Sequence, residues 1–445
     1  MNERENLRNT AELGRQDAGA PTSRAHRRIS SALACATAGL LGGGCAVIDT
    51  VKPGPEWQYD AAVLVYSEPD RVSVVEAALS ASRETEAGSK IALKAVVDTL
   101  TGPSATGAVP SNRPQTFTRP SGNGSYVVAP NETPLDDTFR DTRVALSADW
   151  EADIVRGLRY GLGANFSTEY DYRSVAVSGR LVKDLNDRNT TLTAAVSVAD
   201  DTVTPVGGVP TALARMGADN RGLRASSQGK TVTDLLFGVT QIIDDRSLFQ
   251  VNYGLTHSSG YHTDPYKVVS LVDADGQPFD APGAVPSVIY ERRPDSRSRH
   301  AIYGRYKRLL KSAALVDVSY RFTTDDWGIV SHTVEGRYRF PFASGGYLQP
   351  RLRIYTQSAA DFHRGFLRQG EPLPSEVTAD YRLGRMNAYT IGLEYGWGSG
   401  PKPWRLALDY YAQRPSEPDG KFGQLRGQTL APAVNAVMLR LNKAF

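Results

Sequence analysis

"AYTIGLEYGWGSGPKPWRLALDYYAQ", residues 388–413, reads as two alternating stretches around a turn. In the first, Tyr389, Ile391, Leu393, Tyr395 and Trp397 fall on one side of an extended chain, and Thr390, Gly392, Glu394 and Gly396 fall on the other. In the second, Trp404, Leu406, Leu408 and Tyr410 oppose Arg405, Asp409, Tyr411 and Gln413. Successive side chains of a strand point to opposite faces, so this period of two describes a sheet with one apolar and one polar face. The aromatic residues decide which kind. They sit on the apolar face near strand ends, as an interface girdle does, while the other face carries charge. A transmembrane barrel is apolar outside and polar inside; a soluble sandwich has the reverse arrangement.

The pattern repeats away from this hairpin. "LRYGLGANFS" (158–167) sets Leu158, Tyr160, Leu162, Ala164 and Phe166 against Arg159, Gly161, Gly163, Asn165 and Ser167. "AALVDVSYRF" (313–322) sets Val316, Val318, Tyr320 and Phe322 against Asp317, Ser319 and Arg321. Sixteen such segments run from 57–67 to 433–445. The connections give an independent check. Even-numbered ones are short, as in "DLNDR", "DDR" and "GSGPKP", and the long ones (100–137, 203–230, 259–296, 358–384 and 414–432) are all odd-numbered. A barrel with both termini in the periplasm requires this parity, with short periplasmic turns and long extracellular loops. The expected fold is a single all-β antiparallel transmembrane barrel over residues 57–445.

The chain ends on "AVMLRLNKAF" (436–445), which places Val437, Leu439, Leu441 and Phe445 on the apolar face. A terminal strand with a final aromatic residue resembles the signal read by outer-membrane assembly machinery. Lys443 falls in the same phase and departs from the ideal, although a long stem near a strand end can snorkel.

Composition narrows the class further. The 445 residues include 41 Gly, 21 Tyr and 5 Trp but only 4 Met, a balance that favours strands and turns. A net charge of +3 gives no reason to expect nucleic acid. Cys35 and Cys45 are the only cysteines, so the body has no disulfide and no thiolate metal site. Arg24, Arg27 and Arg28 precede "ISSALACATAGLLGGGCA" (29–46), a short apolar stretch rich in small residues. Residues 1–45 therefore read as a secretory leader and 46–56 as a periplasmic segment. "GGGC" also suggests a lipoprotein box with Cys45 as the lipidated residue, although Gly42 stands where such a box usually has Leu.

Nine further stretches carry a family resemblance: "DTLTGPSATGA" (98–108), "PQTFT" (114–118), "NETPLDDTF" (131–139), "FSTEYDY" (166–172), "RNTTL" (188–192), "DPYKV" (264–268), "YERRPDSRSRHA" (290–301), "TDDWGIVSHT" (324–333) and "QSAADF" (357–362). In these the chain resembles a bacterial outer-membrane family, domain-of-unknown-function family 3570. The resemblance implies a barrel in the outer membrane of a Gram-negative bacterium. Members tend to be encoded near small lipoproteins, thioredoxin-like proteins and enzymes that attach flavin, which points by association to envelope redox handling. The implied partners are outer-membrane lipid and lipopolysaccharide, the barrel assembly machinery, and a periplasmic redox protein or lipoprotein.

The strand phases send Arg143, Arg159, Arg305, Arg321, Arg337, Arg339, Arg351, Arg353, Arg405 and Arg440 into the lumen, with Asp149, Asp317, Glu335, Glu394 and Asp409 among them. Two readings follow. Either a basic stripe favours anions in a porin-like conduit, or an arginine–carboxylate ladder ties the strands together and partly fills the lumen. Acidic pairs in the loops, Asp136-Asp137, Asp200-Asp201 and Asp325-Asp326, are turn residues or, at Asp325 and Asp326, a rim cation site. Pairs such as His332 with Asp325 or Asp326, or His363 with Asp361, would suit a metal site or the protease-like dyad of a hydrolase at the rim. No HExxH, GxSxG or CxxCH spacing supports an enzyme, a catalytic metal or a haem, so no cofactor is expected. The loop "PVGGVP" (205–210) either folds inward to constrict the pore or stays exposed.

Overall fold

The structure is a computed structural model describing residues 56–86, 88–118, 125–136, 140–216, 225–279, 286–343, 345–398 and 402–445. The leader, Cys45 and Asp137 lie outside the described residues. Sixteen strands close into one antiparallel barrel, each paired with its sequence neighbours. They are β1 (Gln58–Ser67), β2 (Ser73–Glu84), β3 (Lys90–Thr101), β4 (Arg140–Val155), β5 (Leu158–Thr168), β6 (Tyr172–Leu185), β7 (Thr190–Val203) and β8 (Gln228–Asp244). The second half holds β9 (Ser247–Gly260), β10 (Ser296–Leu309), β11 (Leu315–Asp325), β12 (Val330–Pro341), β13 (Tyr347–Gln357), β14 (Met386–Trp397), β15 (Trp404–Pro415) and β16 (Val434–Ala444).

Closure is made by β1 against β16, from Asp60 opposite Ala444 to Ser67 opposite Val437, and the Phe445 N–H donates to the Tyr59 carbonyl at 2.8 Å. A closed ladder leaves no unpaired edge, which is what permits strands to cross lipid. The outward phase agrees with the alternation: Ile391 is 64 % exposed, Leu162 54 % and Leu408 52 %. On the last strand Val437, Leu439, Leu441 and Phe445 all face out. Lys443 turns back to donate to the Lys402 carbonyl at 3.0 Å, with its ammonium 5.2 Å from the Trp404 ring.

The long connections do not stay outside. Ser104–Ala105 pairs with Leu135–Asp136, and Val268–Val272 lies between Val288–Tyr290 and Leu367–Arg368 in a three-stranded sheet. Every residue of Val268–Val272 and Val288–Tyr290 is buried. Around them Val269, Leu271, Ile289, Val377 and Ala379 form one apolar cluster, and Ala108, Phe117, Val128, Val268, Val288 and Tyr290 another. The loop after β7 joins in. Gly207 and Gly208 take positive φ, Val209 is buried, and the Leu213 and Met216 N–H groups donate to the Tyr290 and Val288 carbonyls. Together these segments make a plug at the long-loop end, opposite both strand termini. Gln357 at the end of β13 moors it, donating from its side-chain amide to the Arg382 and Gly384 carbonyls at 2.8 Å. Among the described residues, the turns at the other end, such as 156–157 and 245–246, are short.

Candidate functional site

The barrel register brings the inward arginines against carboxylates on neighbouring strands. Arg143 Nε lies 2.6 Å from Asp98, and Arg159 reaches Glu151 at 3.3 Å and Asp184 at 3.6 Å. Arg305 holds both oxygens of Asp317, and Arg440 meets Glu394 at 3.6 Å. Arg337 and Arg351 stand directly opposite each other and share Glu335, which contacts Arg337 through Oε1 at 2.6 Å and Arg351 through Oε2 at 2.9 Å. Arg351 also reaches Asp409 at 3.3 Å. Arg321 lies over the Tyr303 ring at 5.4 Å, and Arg339 lies over Tyr347 at 4.1 Å while donating to Gln349. Arg405 faces inward between Gly396 and Asn442. Arg353 is opposite Glu335 yet makes no hydrogen bond, ion pair or ring contact with any described residue. Like charges set opposite each other repel, and the shared Glu335 is what makes the Arg337–Arg351 pair tolerable.

A second charged group is buried where the plug meets the wall. Arg293 Nε lies 2.6 Å from Glu291 and its Nη2 lies 2.9 Å from Asp380. Arg382 binds Asp380 at 2.6 Å and Asp264 at 3.1 Å, and Lys267 donates to the Ala105 carbonyl and the Ser104 hydroxyl. The Thr378 hydroxyl and the Asp264 N–H both donate to Glu291. Three acids face three cations, and all six residues are buried. Burial alone would push the Asp380 carboxyl up, but Arg382 and Arg293 hold it well below the usual carboxylate range. Burial dominates at Glu291 and raises it despite Arg293. Burial also lowers the His363 imidazole, with Asp380 opposing.

The alternation could not announce this network, because its members lie in aperiodic loops. A signal was nevertheless present. Asp264 and Lys267 sit in "DPYKV", Glu291 and Arg293 in "YERRPDSRSRHA", and the apolar runs "KVVSLV" (267–272) and "PSVIY" (286–290) are too hydrophobic for solvated loops. A cavity of about 40 Å³ lies beside the network, lined among others by Asp136, Glu169, Asp171, Tyr172, Lys267 and Arg382, enough for about one water. Carboxylate oxygens of Asp141, Glu169 and Asp171 lie within 4.8 Å of one another near it, and the Tyr266 hydroxyl donates to Asp171 at 2.6 Å.

The structure places the remaining candidates as follows. Asp325 accepts from Arg297 and from the Trp327 and Ile329 N–H groups, while both Asp326 oxygens accept from the Ser298 N–H. The oxygens a rim cation would need are engaged in shaping the turn. His332 Nδ1 lies 2.8 Å from the Tyr320 hydroxyl on the outward face, so it is not brought to Asp325. His262 Nε2 lies 2.7 Å from Ser258 Oγ, with its Nδ1 2.9 Å from the Gly260 carbonyl oxygen. Sequence spacing did not single out that pair.

The barrel is similar to solved outer-membrane proteins. The ferric enterobactin receptor PfeA of Pseudomonas aeruginosa aligns with a TM-score of 0.41 and 8% identity, over 81% of this chain and 54% of that one. The siderophore receptor PirA of Acinetobacter baumannii gives 0.40 and 10%, over 88% and 60%. OprB of Pseudomonas putida gives 0.40 and 10%, over 88% and 94%. The chain spans about half the length of the PfeA structure it matches. No curated protein matches it. A family model described as "Protein of unknown function (DUF3570)" matches residues 30–445, nearly the whole chain including every strand of the barrel, and the protein belongs to that family.

Proposed function

We propose that this protein is a porin-like conduit in the outer membrane of a Gram-negative bacterium, open toward the periplasm and held shut at its extracellular mouth by the plug. The observation that carries this reading is the plug's neutral, fully buried charge network, which ties three of the long loops together inside a barrel whose other mouth, among the described residues, has only tight turns. Purified protein in a planar bilayer is expected to conduct weakly or in brief openings. Arg293→Ala, which takes the paired guanidinium from Glu291 and one of two from Asp380, should raise steady conductance to that of an open pore. Equal conductance in the two proteins, both still heat-modifiable on a gel, would dispose of the gate. A scaffold form of the proposal, with a periplasmic redox protein or lipoprotein seated in the open mouth, draws its support from the family resemblance. A partner co-purifying from gently solubilised membranes is its test.

A rim hydrolase is the second reading, favoured by Ser258 and His262. A serine hydroxyl that donates to an imidazole nitrogen is the arrangement that activates a nucleophile, and the Gly260 carbonyl orients the ring through Nδ1. Ser258→Ala should then abolish hydrolysis of a nitrophenyl ester by the purified protein. Unchanged or absent hydrolysis in both proteins removes this reading.

A further inference from the structure

The wall formed by β11, β12 and β13 carries more positive charge than its acids can compensate. Its inward positions hold Arg321, Arg337, Arg339, Arg351 and Arg353 against Asp317, Asp325 and Glu335. Two of those acids are engaged from the neighbouring strand, Asp317 by Arg305 and Asp325 by Arg297. Asp409, two strands away, supplies one further carboxylate, to Arg351; Glu335 remains, and each of its oxygens already takes a guanidinium, from Arg337 and from Arg351. The register then delivers Arg353 opposite Glu335 with both oxygens taken. Its Nε is sealed from solvent without a hydrogen-bond partner, while its Nη tips are not sealed; Glu335 attracts it without contact, and Arg351 and Arg321 act on it as like charges.

The position is also specific. Arg353 lies four residues before Gln357, the side chain that moors the plug, so it sits about 13 Å along the strand beneath the plug. Tyr355, whose hydroxyl donates to Gln357, fills the inward position between them. The site therefore lies beneath the plug, at the end of the lumen that the long loops close. A cation whose nearest carboxylate is already shared by two other guanidiniums, in a confined, poorly solvated place, is costly. A guanidinium offering two free Nη groups matches the spacing of two oxygens on a carboxylate or phosphate, which it binds bidentately.

We propose that Arg353, flanked by Arg321 and Arg351, is the anchor of a binding site for a small oxyanion, a phosphate or dicarboxylate, that enters from the short-turn end and stops beneath the plug. This deepens the conduit reading and needs from it only that the lumen be reachable. Binding is therefore measured without any transport: inorganic phosphate and succinate are titrated calorimetrically into the detergent-solubilised full chain at low ionic strength. Saturable binding of at least one probe is expected, and the tighter one identifies the head group. Arg353→Gln should weaken it at least tenfold. Arg353→Lys should weaken it less, because a point charge replaces the fork. Arg143→Gln removes the same charge from a lumen position already paired with Asp98, and should change binding less than twofold. Heat-modifiability on a gel confirms that each variant keeps the closed barrel. The site is refuted if neither probe saturates, if Arg353→Gln binds like the wild type, or if Arg143→Gln weakens binding as much as Arg353→Gln does. Binding without conductance would count against the conduit alone, and conductance without binding against this site alone.

Discussion

The plug and the arginine wall handle inward charge in opposite ways. In the plug, Asp264, Glu291 and Asp380 face Lys267, Arg293 and Arg382, every member is buried, and the sum is neutral. On the wall the cations outnumber the acids, Glu335 is shared by two arginines, and Arg353 is left over. A group sealed from water has to be compensated within the protein, because a stranded buried charge costs several kcal/mol. The wall is nearly as buried, with Glu335, Arg339 and Arg351 all below a tenth exposed, yet its own acids do not balance it, and that surplus is available to a ligand that can reach it. Neutrality thus marks the plug network as structural, and imbalance marks the wall as the place where function is to be sought.

The largest expected effect falls on the plug. Asp380→Ala removes the carboxylate that Arg293 and Arg382 share, leaving each with one acid and the buried network one negative charge short, and should cost about 3–5 kcal/mol locally. Trypsin, excluded from these buried arginines in the wild type, should then cut in the plug on intact cells. Continued protection would mean that the apolar clusters, not the charges, hold the plug. Next comes the wall. In a channel opened by removal of the plug contact, replacing Arg351 and Arg353 together by Gln should move the reversal potential toward cations. An unmoved potential would show that the surplus does not act on permeant ions despite low-dielectric focusing.

A smaller effect should come from Gly392, which touches the wall without carrying charge. A Cβ there would lie 1.7 Å from Asp409 Oδ1, so Gly392→Ala must displace the carboxylate that Arg351 uses. The expected cost is about 1–3 kcal/mol of barrel stability, read as a lower temperature of gel-mobility conversion, together with tighter phosphate binding. Conversion at the wild-type temperature would place Asp409 outside the network.

The smallest effect concerns acid. His363 in the plug is lowered by burial, so it contributes stability that is fully present above the unfolded imidazole value of about 6.5 and is lost as pH falls through the folded one. Glu291, raised by burial, has the opposite sign: it favours the plug as pH falls, and that gain is lost as pH rises through its folded value. Relative to His363→Gln, which keeps the Glu291 term, the wild-type plug should loosen between pH 7 and 5 by less than about 1 kcal/mol, measured by trypsin protection. Identical pH profiles would remove His363 from the balance.

Most of the fold was legible because a barrel strand reports its own orientation. Each of the sixteen segments shows its two faces within about ten residues, and the parity of the connections orders the ends. The candidate site was legible only in part. Arg143 and Arg353 look alike in sequence, each an inward arginine in an alternating strand, yet one has Asp98 to itself and the other faces a Glu335 that two arginines already hold. The difference depends on the partner that Glu335 has already taken, which alternation does not record. The loop "PVGGVP" left both its alternatives open in sequence, and the burial of Val209, with the apolar contacts that Leu213 and Met216 just beyond it make with the plug, favours the inward one.

The sequence by itself determined the strands, their inward and outward faces, and which end carries the long loops, because each is a property of residues two to ten positions apart. Only the tertiary structure decided that those loops fold into the mouth and which charges cancel. Glu291 meets Thr378 across 87 residues, and Arg382 meets Asp264 across 118. Contacts at that range depend on how the closed sheet brings its loops together, and no local period carries that information.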